Sequence, residues 1–143
     1  MTQPFKFSTP LKVRFNETDL QGHVNFIHHL AYFDVGSIEY LETIGYNYQA
    51  LLADGVDFLY VESHCNYKSA VKWPELLHVH ARIGHLGHRS LRFEFQIWAA
   101  ADKRLVATGH IIAVTATRDG FIPCPIPDGL RQAVAAYEGN GDA

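Results

Sequence analysis

The sequence predicts an α+β fold, with one long amphipathic helix followed by a run of antiparallel strands. Three observations carry this. Apolar residues recur at helical spacing over about five turns, from about Asn25 to Ile44. From Phe58 to Thr117 the pattern changes to period-two alternation broken by short turn signals. Pro123, Pro125 and Pro127 then stop the strand region ahead of a short closing helix. Strands gathered after one helix, rather than alternating with helices, argue for α+β.

Leu11, Val13 and Phe15 alternate with Lys12, Arg14 and Asn16, which predicts a first, half-buried strand. A loop over 17–23 follows. Ile27, Leu30, Ala31, Ile38, Leu41 and Ile44 form the predicted core stripe of the long helix, which faces the sheet, and Gly45 is placed to cap it. Tyr48 to Ala53 reads as a short second helix, ended by Asp54-Gly55. The strand segments are Phe58–Lys68, Leu77–Ile83, Ser90–Ala99 and Leu105–Thr117. In the third, Leu91, Phe93, Phe95 and Ile97 oppose Arg92, Glu94, Gln96 and Trp98. The fourth, rich in Ala, Val, Ile and Thr, is buried on both faces or nearly so. Turns fall at Leu86-Gly87-His88, Ala101–Arg104 and Asp119-Gly120, and the last helix lies near Gly129–Tyr137. The short connections after residue 84 make the last strands sequential neighbours. The tail from Glu138 to Ala143 reads as loose.

The 143 residues fit one domain, 1–143, with a core of about 11–131. A net charge of −3 with scattered Lys and Arg gives no case for nucleic acid. Cys65 and Cys124 stand far apart and read as reduced thiols. MTQPFKFSTP is too polar for a signal peptide, and no stretch approaches a membrane span, so the expectation is a soluble cytoplasmic protein with no membrane partner. Nine histidines raise the question of a metal. His28 and His29 are adjacent and point about 100° apart on a helix. His78 and His80 share a strand face with no carboxylate or Cys completing a known spacing. No metal and no cofactor is expected.

The densest chemistry is the stretch ETDLQGHVN, residues 17–25, just ahead of the long helix. Asn25 is placed to cap that helix, whose first N–H groups have no intrahelical partner and sit at the positive end of its dipole. Gly22 lets the backbone turn tightly and approach a ligand. Asp34 falls on the predicted apolar stripe, where a carboxylate must find partners or line a pocket.

The segment VRFNETDLQGHVNFIHHLAYFDVGSIEYLE (13–42), followed by CNYKSAVKWPELLHV and GHRSLRFEFQI, resembles the hotdog-fold acyl-CoA thioesterases of the 4-hydroxybenzoyl-CoA thioesterase type. The resemblance implies a long helix wrapped by a five- or six-stranded antiparallel sheet. It also implies a homodimer whose two sheets join, paired again into a homotetramer, with active sites between subunits. It places the catalytic carboxylate at Asp19, as general base on water or as nucleophile. The oxyanion donor falls on the helix N-terminal N–H at Phe26, with Asn25 beside it. His23 is expected to orient the carboxylate or the substrate. Asp34 is the second-choice catalytic acid, since some hotdog thioesterases carry theirs on this helix. Glu17 is read as a solvent-facing bystander.

For an acyl-CoA substrate, Lys68, His88, Arg89 and Ser90 are the candidates for the coenzyme A end, and His29 and Tyr67 for contacts near the reacting group. Relatives often carry Asn and Tyr where this chain has Phe26 and His29, and an Arg where it has Ser37. Those departures bear on the acyl pocket. Two alternatives remain on the same scaffold. One is a non-catalytic acyl-CoA-binding protein. The other is an acyl-thioester hydratase or dehydratase, whose Asp–His spacing of five differs from the four between Asp19 and His23.

Overall fold

Period-two segments pair into a single antiparallel sheet, and the long amphipathic segment crosses one face of it. The computed structural model describes residues 4–139. The strands are β1 (Phe7–Lys12), β2 (Val56–Tyr67), β3 (Leu76–Leu86), β4 (Ser90–Ala99) and β5 (Leu105–Thr117). The helices are α1 (His28–Ile44), α2 (Tyr48–Ala53) and α3 (Asp128–Glu138). The sheet order is β1-β3-β4-β5-β2, antiparallel throughout. The last three strands are sequential neighbours, as their short connections predict, and β2 lies at an edge beside β5. This is the α+β hotdog architecture, with five strands.

The core is the sheet face under α1. Leu77, Val79 and Ala81 of β3, and Leu91, Phe93, Phe95 and Ile97 of β4, are fully buried there. They meet Tyr32, Phe33, Tyr40 and Leu41 of α1, with Phe33 stacked on Phe95 at 4.5 Å. The approach is close because two positions lack a side chain. A Cβ on Gly36 would stand 2.7 Å from Val79 Cγ1, and one on Gly109 would stand 2.6 Å from the Phe33 ring. The opposite sheet face is polar, with His78, His80, Arg82, Arg92, Glu94 and His110 around an open depression.

Four expectations change. The first strand ends at Lys12, and Phe15–Glu17 form a 3-10 turn instead of continuing it. The Arg14 N–H donates to Glu17 Oε1 at 2.8 Å and bends the chain away from the sheet, so the Phe15 ring lies exposed against Trp73. The long helix begins at His28 rather than Asn25. Its buried face matches the predicted stripe only in part: Leu41 is buried and Leu30 and Ile44 pack against the core. Ile27, Ala31 and Ile38 are exposed, along with Asp34 and Val35. The buried face carries His29, Tyr32, Phe33, Gly36, Ser37, Tyr40 and Leu41. Tyrosines can occupy it because their hydroxyls are satisfied: Tyr32 donates to Glu17 at 2.8 Å and Tyr40 to Glu138 at 2.7 Å. Glu138 ends α3 and Gly139 caps it in a left-handed conformation, so that part of the predicted loose tail is ordered; 140–143 lie outside the described residues.

Candidate active site

The loop between β1 and α1 is built around a buried carboxylate. Glu17 is 4% exposed. Oε1 accepts the Arg14 N–H and the Tyr32 hydroxyl, each at 2.8 Å, and Oε2 accepts the Arg14 guanidinium at 2.8 Å and 3.2 Å. Burial pushes its pKa up, but the hydrogen bonds and charge of Arg14 and the Tyr32 hydroxyl outweigh that and hold it below the ordinary carboxylate value. Glu17 is therefore not the bystander the sequence suggests. It ties the loop to α1. The Arg14–Glu17 spacing was the signal available in the sequence.

Beyond Glu17 the chain folds back on itself. Thr18 and Val24 form an antiparallel bridge, and the Val24 N–H donates to Val71 O at 2.7 Å. Between them the Asp19 N–H donates to His23 O, and the Gly22 N–H to Asp19 O, both at 2.9 Å. Gly22 has φ of +82°, the left-handed conformation that favours glycine. At the exposed tip, Asp19 Oδ1 accepts the Gln21 N–H at 2.9 Å. Its Oδ2 has no partner among the described residues. The His23 ring is half-buried and makes no hydrogen bond to Asp19; the contact between these residues runs through the main chain.

The next five main-chain donors can be followed one by one. The Asn25 N–H donates to Glu17 O at 2.9 Å, the Ile27 N–H to Asn25 Oδ1 at 3.2 Å, the His28 N–H to Asn25 O at 3.0 Å and the His29 N–H to Phe26 O at 3.3 Å. The Phe26 N–H alone of the five has no acceptor among the described residues. Around it lie the Phe26 ring, 63% exposed, and the Tyr67 ring, 49% exposed, in edge contact at 6.2 Å. Tyr67 also meets the buried His29 ring at 4.8 Å. Both side chains bond to Phe26 O, His29 Nδ1 at 3.1 Å and the Tyr67 hydroxyl at 3.2 Å. A carbonyl only accepts, so Nδ1 carries the proton of the neutral ring. Burial lowers the His29 pKa, which favours that neutral form.

Asp19, Gly22, His23, Asn25, Phe26, His29 and Tyr67 thus gather at the start of α1. Lys68 follows at the end of β2, with its N–H on Val106 O at 2.8 Å and its side chain exposed. Asp34 lies eight residues beyond Phe26, about 12 Å along the helix axis. It is not on the core face. Its exposed carboxylate accepts the Tyr60 hydroxyl at 2.9 Å and lines a cavity of about 440 Å³ with Leu30, Ala31 and Val61. His88, Arg89 and Ser90 do not join the site within one chain. Their turn lies at the far end of β3, an 11-residue strand, about 30 Å away at the usual rise per residue. There the Ile126 N–H holds His88 O at 3.0 Å and the Thr115 N–H holds Arg89 O at 2.9 Å.

Comparison with known proteins agrees with this architecture. The model of the thioesterase-like superfamily matches residues 13–134. Among solved structures, a protein of Pseudomonas aeruginosa strain PAO1 is 30% identical, with 92% of this chain and 91% of that chain covered and a TM-score of 0.81. A gentisyl-coenzyme A thioesterase is 26% identical, with 90% and 100% covered and a TM-score of 0.80. A DHNA-CoA thioesterase from Staphylococcus aureus is 19% identical, with 94% and 92% covered and a TM-score of 0.85, and is similar in fold.

Proposed function

The chain belongs to the thioesterase-like superfamily, and from that premise and the loop geometry we propose that it is an acyl-CoA thioesterase, releasing a free acid and CoA. One observation carries the assignment of the site. A loop tip offers a carboxylate with one oxygen unpartnered, and the adjoining helix start offers one main-chain donor, the Phe26 N–H, without an acceptor, both among the described residues. Thioester hydrolysis needs a group that activates water or attacks the carbonyl and a donor for the developing oxyanion, and these two groups can supply both.

In the proposed reaction the thioester carbonyl oxygen takes the Phe26 N–H, favoured by the positive end of the α1 dipole. Asp19 then either draws a proton from a water that attacks the carbonyl carbon, or attacks that carbon itself. In both routes the C–S bond then breaks and CoA leaves as the thiolate, which takes a proton from the protonated Asp19 in the first route and from solvent in the second. In the second route water then hydrolyses the mixed anhydride. Gly22 keeps the loop tip free of a side chain at the approach. The exposed Phe26 and Tyr67 rings suit a planar acyl group, in keeping with a gentisyl-coenzyme A thioesterase as a relative.

A homodimer reconciles the two separated groups of candidates. β2 is a 12-residue edge strand with Leu59, Tyr60, Val61 and Tyr67 exposed, a surface suited to pairing with a second strand. Its Tyr67 end carries the site. Its other end neighbours the His88–Ser90 turn, since Leu59 pairs with Val114 and Val114 with Ser90. Antiparallel pairing of β2 with its copy sets each Tyr67 end against the opposite end of the other β2. His88, Arg89 and Ser90 then lie about two strand spacings, roughly 10 Å, from the junction, placed for the phosphate end of CoA. Two such dimers pairing again give the proposed homotetramer.

The test is thiol release from a panel of acyl-CoAs by the wild type and Asp19→Asn. Hydrolysis that Asp19→Asn abolishes supports the reading. Binding of CoA esters without cleavage supports the non-catalytic alternative. Asp34 is a second carboxylate to test, because it borders a cavity and holds a tyrosine hydroxyl.

A further inference from the structure

The Phe26 carbonyl is held more firmly than its place in the chain requires. A carbonyl oxygen has two lone pairs, yet three donors converge on this one. They are His29 Nδ1 at 3.1 Å, the Tyr67 hydroxyl at 3.2 Å and the His29 N–H at 3.3 Å. The longest is the helix's own main-chain bond, and the two shorter ones come from side chains on different elements, α1 and β2. The rings of these two residues also pack edge to face at 4.8 Å, which fixes each against the other.

We propose that His29 and Tyr67 are positioning residues. On this view they clamp the Phe26 carbonyl and so aim the Phe26 N–H, where the sequence suggests direct contacts with substrate. The inference rests on the thioesterase reading above. Phe26 precedes the first residue of α1, so the helix ladder does not hold its N–H. The peptide unit ahead of it is fixed through Asn25 O, which takes the His28 N–H at 3.0 Å. The unit behind it is fixed by the Ile27 N–H on Asn25 Oδ1 and by the clamp. With both flanking units held, the orientation of the Phe26 N–H is set before any substrate arrives, which is what an oxyanion donor requires. Tyr67 also ties the loop to the edge strand β2.

Tyr67→Phe removes the hydroxyl and keeps the ring contacts. The expected result is a kcat lower by about fivefold to tenfold, with KM within about twofold and an unchanged melting temperature. His29→Leu, which loses the ring donor, should show a similar fall, while His29→Gln, which can donate from the same side, should recover part of the rate. In the full-length protein labelled with 13C, the Phe26 carbonyl resonance should move in Tyr67→Phe and stay in place in Asp19→Asn. Wild-type kcat in both Tyr67→Phe and His29→Leu overturns the proposal, and so does an unmoved Phe26 resonance in Tyr67→Phe. A raised KM at unchanged kcat overturns it in favour of direct substrate contact. Failure of the wild type to cleave any acyl-CoA overturns the thioesterase reading itself. A moved resonance in that case shows that the clamp exists without serving this reaction.

Discussion

Glu17 and Asp19 are two residues apart in one loop, carry the same functional group and live in opposite surroundings. Glu17 is buried and accepts four hydrogen bonds from Arg14 and Tyr32. Asp19 is exposed and accepts one, on Oδ1, leaving Oδ2 open. A carboxylate saturated by donors is a poor base and a poor nucleophile but a good anchor. One with an oxygen that has no partner among the described residues, on the loop that leads to the Phe26 N–H, is available for chemistry. The contrast divides the E-T-D segment into a structural acid and a proposed catalytic one, and substitutions should separate the two roles.

The largest effect is expected at Asp19. Asp19→Asn should lower kcat on a cleaved acyl-CoA by a factor of about 100 or more, with the melting temperature unchanged. Glu17→Ala should show the reverse emphasis. It strands the buried Tyr32 hydroxyl and frees the loop, so unfolding in urea should report a loss of about 2–3 kcal/mol. Tyr32→Phe removes one of the four donors and should cost about 1 kcal/mol by the same measurement.

Acid should lower the stability of the fold in two stages. The folded His29 and His80 have pKa values lowered from 6.5 by burial, so the unfolded chain binds their protons first and stability falls as pH drops below about 6.5. Glu17, lowered from 4.5, contributes stability that is complete above about 4.5 and is lost as pH falls through its folded value. Melting temperature against pH should show both stages, and Glu17→Gln should remove the lower one. The smallest effect is expected at Asp34, which is exposed. Asp34→Asn should change kcat by less than about twofold if Asp19 is the working acid.

Much of the fold was legible because local pattern and burial agree in it. Ser90–Ala99 and Leu105–Thr117 match β4 and β5 at both ends, and Tyr48–Ala53 matches α2. In β4 Leu91, Phe93, Phe95, Ile97 and Ala99 are all buried, with Trp98 on the other face, so alternation and burial are nearly one signal. α1 shows where that breaks down. Half of its aliphatic stripe, Ile27, Ala31 and Ile38, points outward, while Leu30, Leu41 and Ile44 meet the core beside aromatic and polar residues. Hydrophobic spacing ranks the aliphatic stripe first, since it cannot see that Glu17 and Glu138 satisfy the tyrosine hydroxyls from distant parts of the chain. The same blindness hid Glu17, whose partner Tyr32 lies 15 residues away.

The site was legible in part. Asp19, Asn25 and Phe26 were placed at the helix start by a local motif, and the structure puts them there. His29 and Tyr67 were expected near the substrate, but their hydrogen bonds go to the Phe26 carbonyl, a contact between residues 41 apart for Tyr67. His88–Ser90 were assigned to the same site, yet one chain holds them at the far end of the sheet. Only strand order and the exposed edge of β2 suggest how a second copy would bring them back.

On the reading proposed above, Asp19 does the chemistry and Glu17 holds the loop. Thiol release by the wild type, Asp19→Asn and Glu17→Gln, each measured beside its melting temperature, tests it most directly. Asp19→Asn should lose about 100-fold or more in rate with its melting temperature unchanged, while Glu17→Gln melts lower and keeps most of its rate where it is folded. An Asp19→Asn variant that cleaves acyl-CoA at the wild-type rate would contradict it.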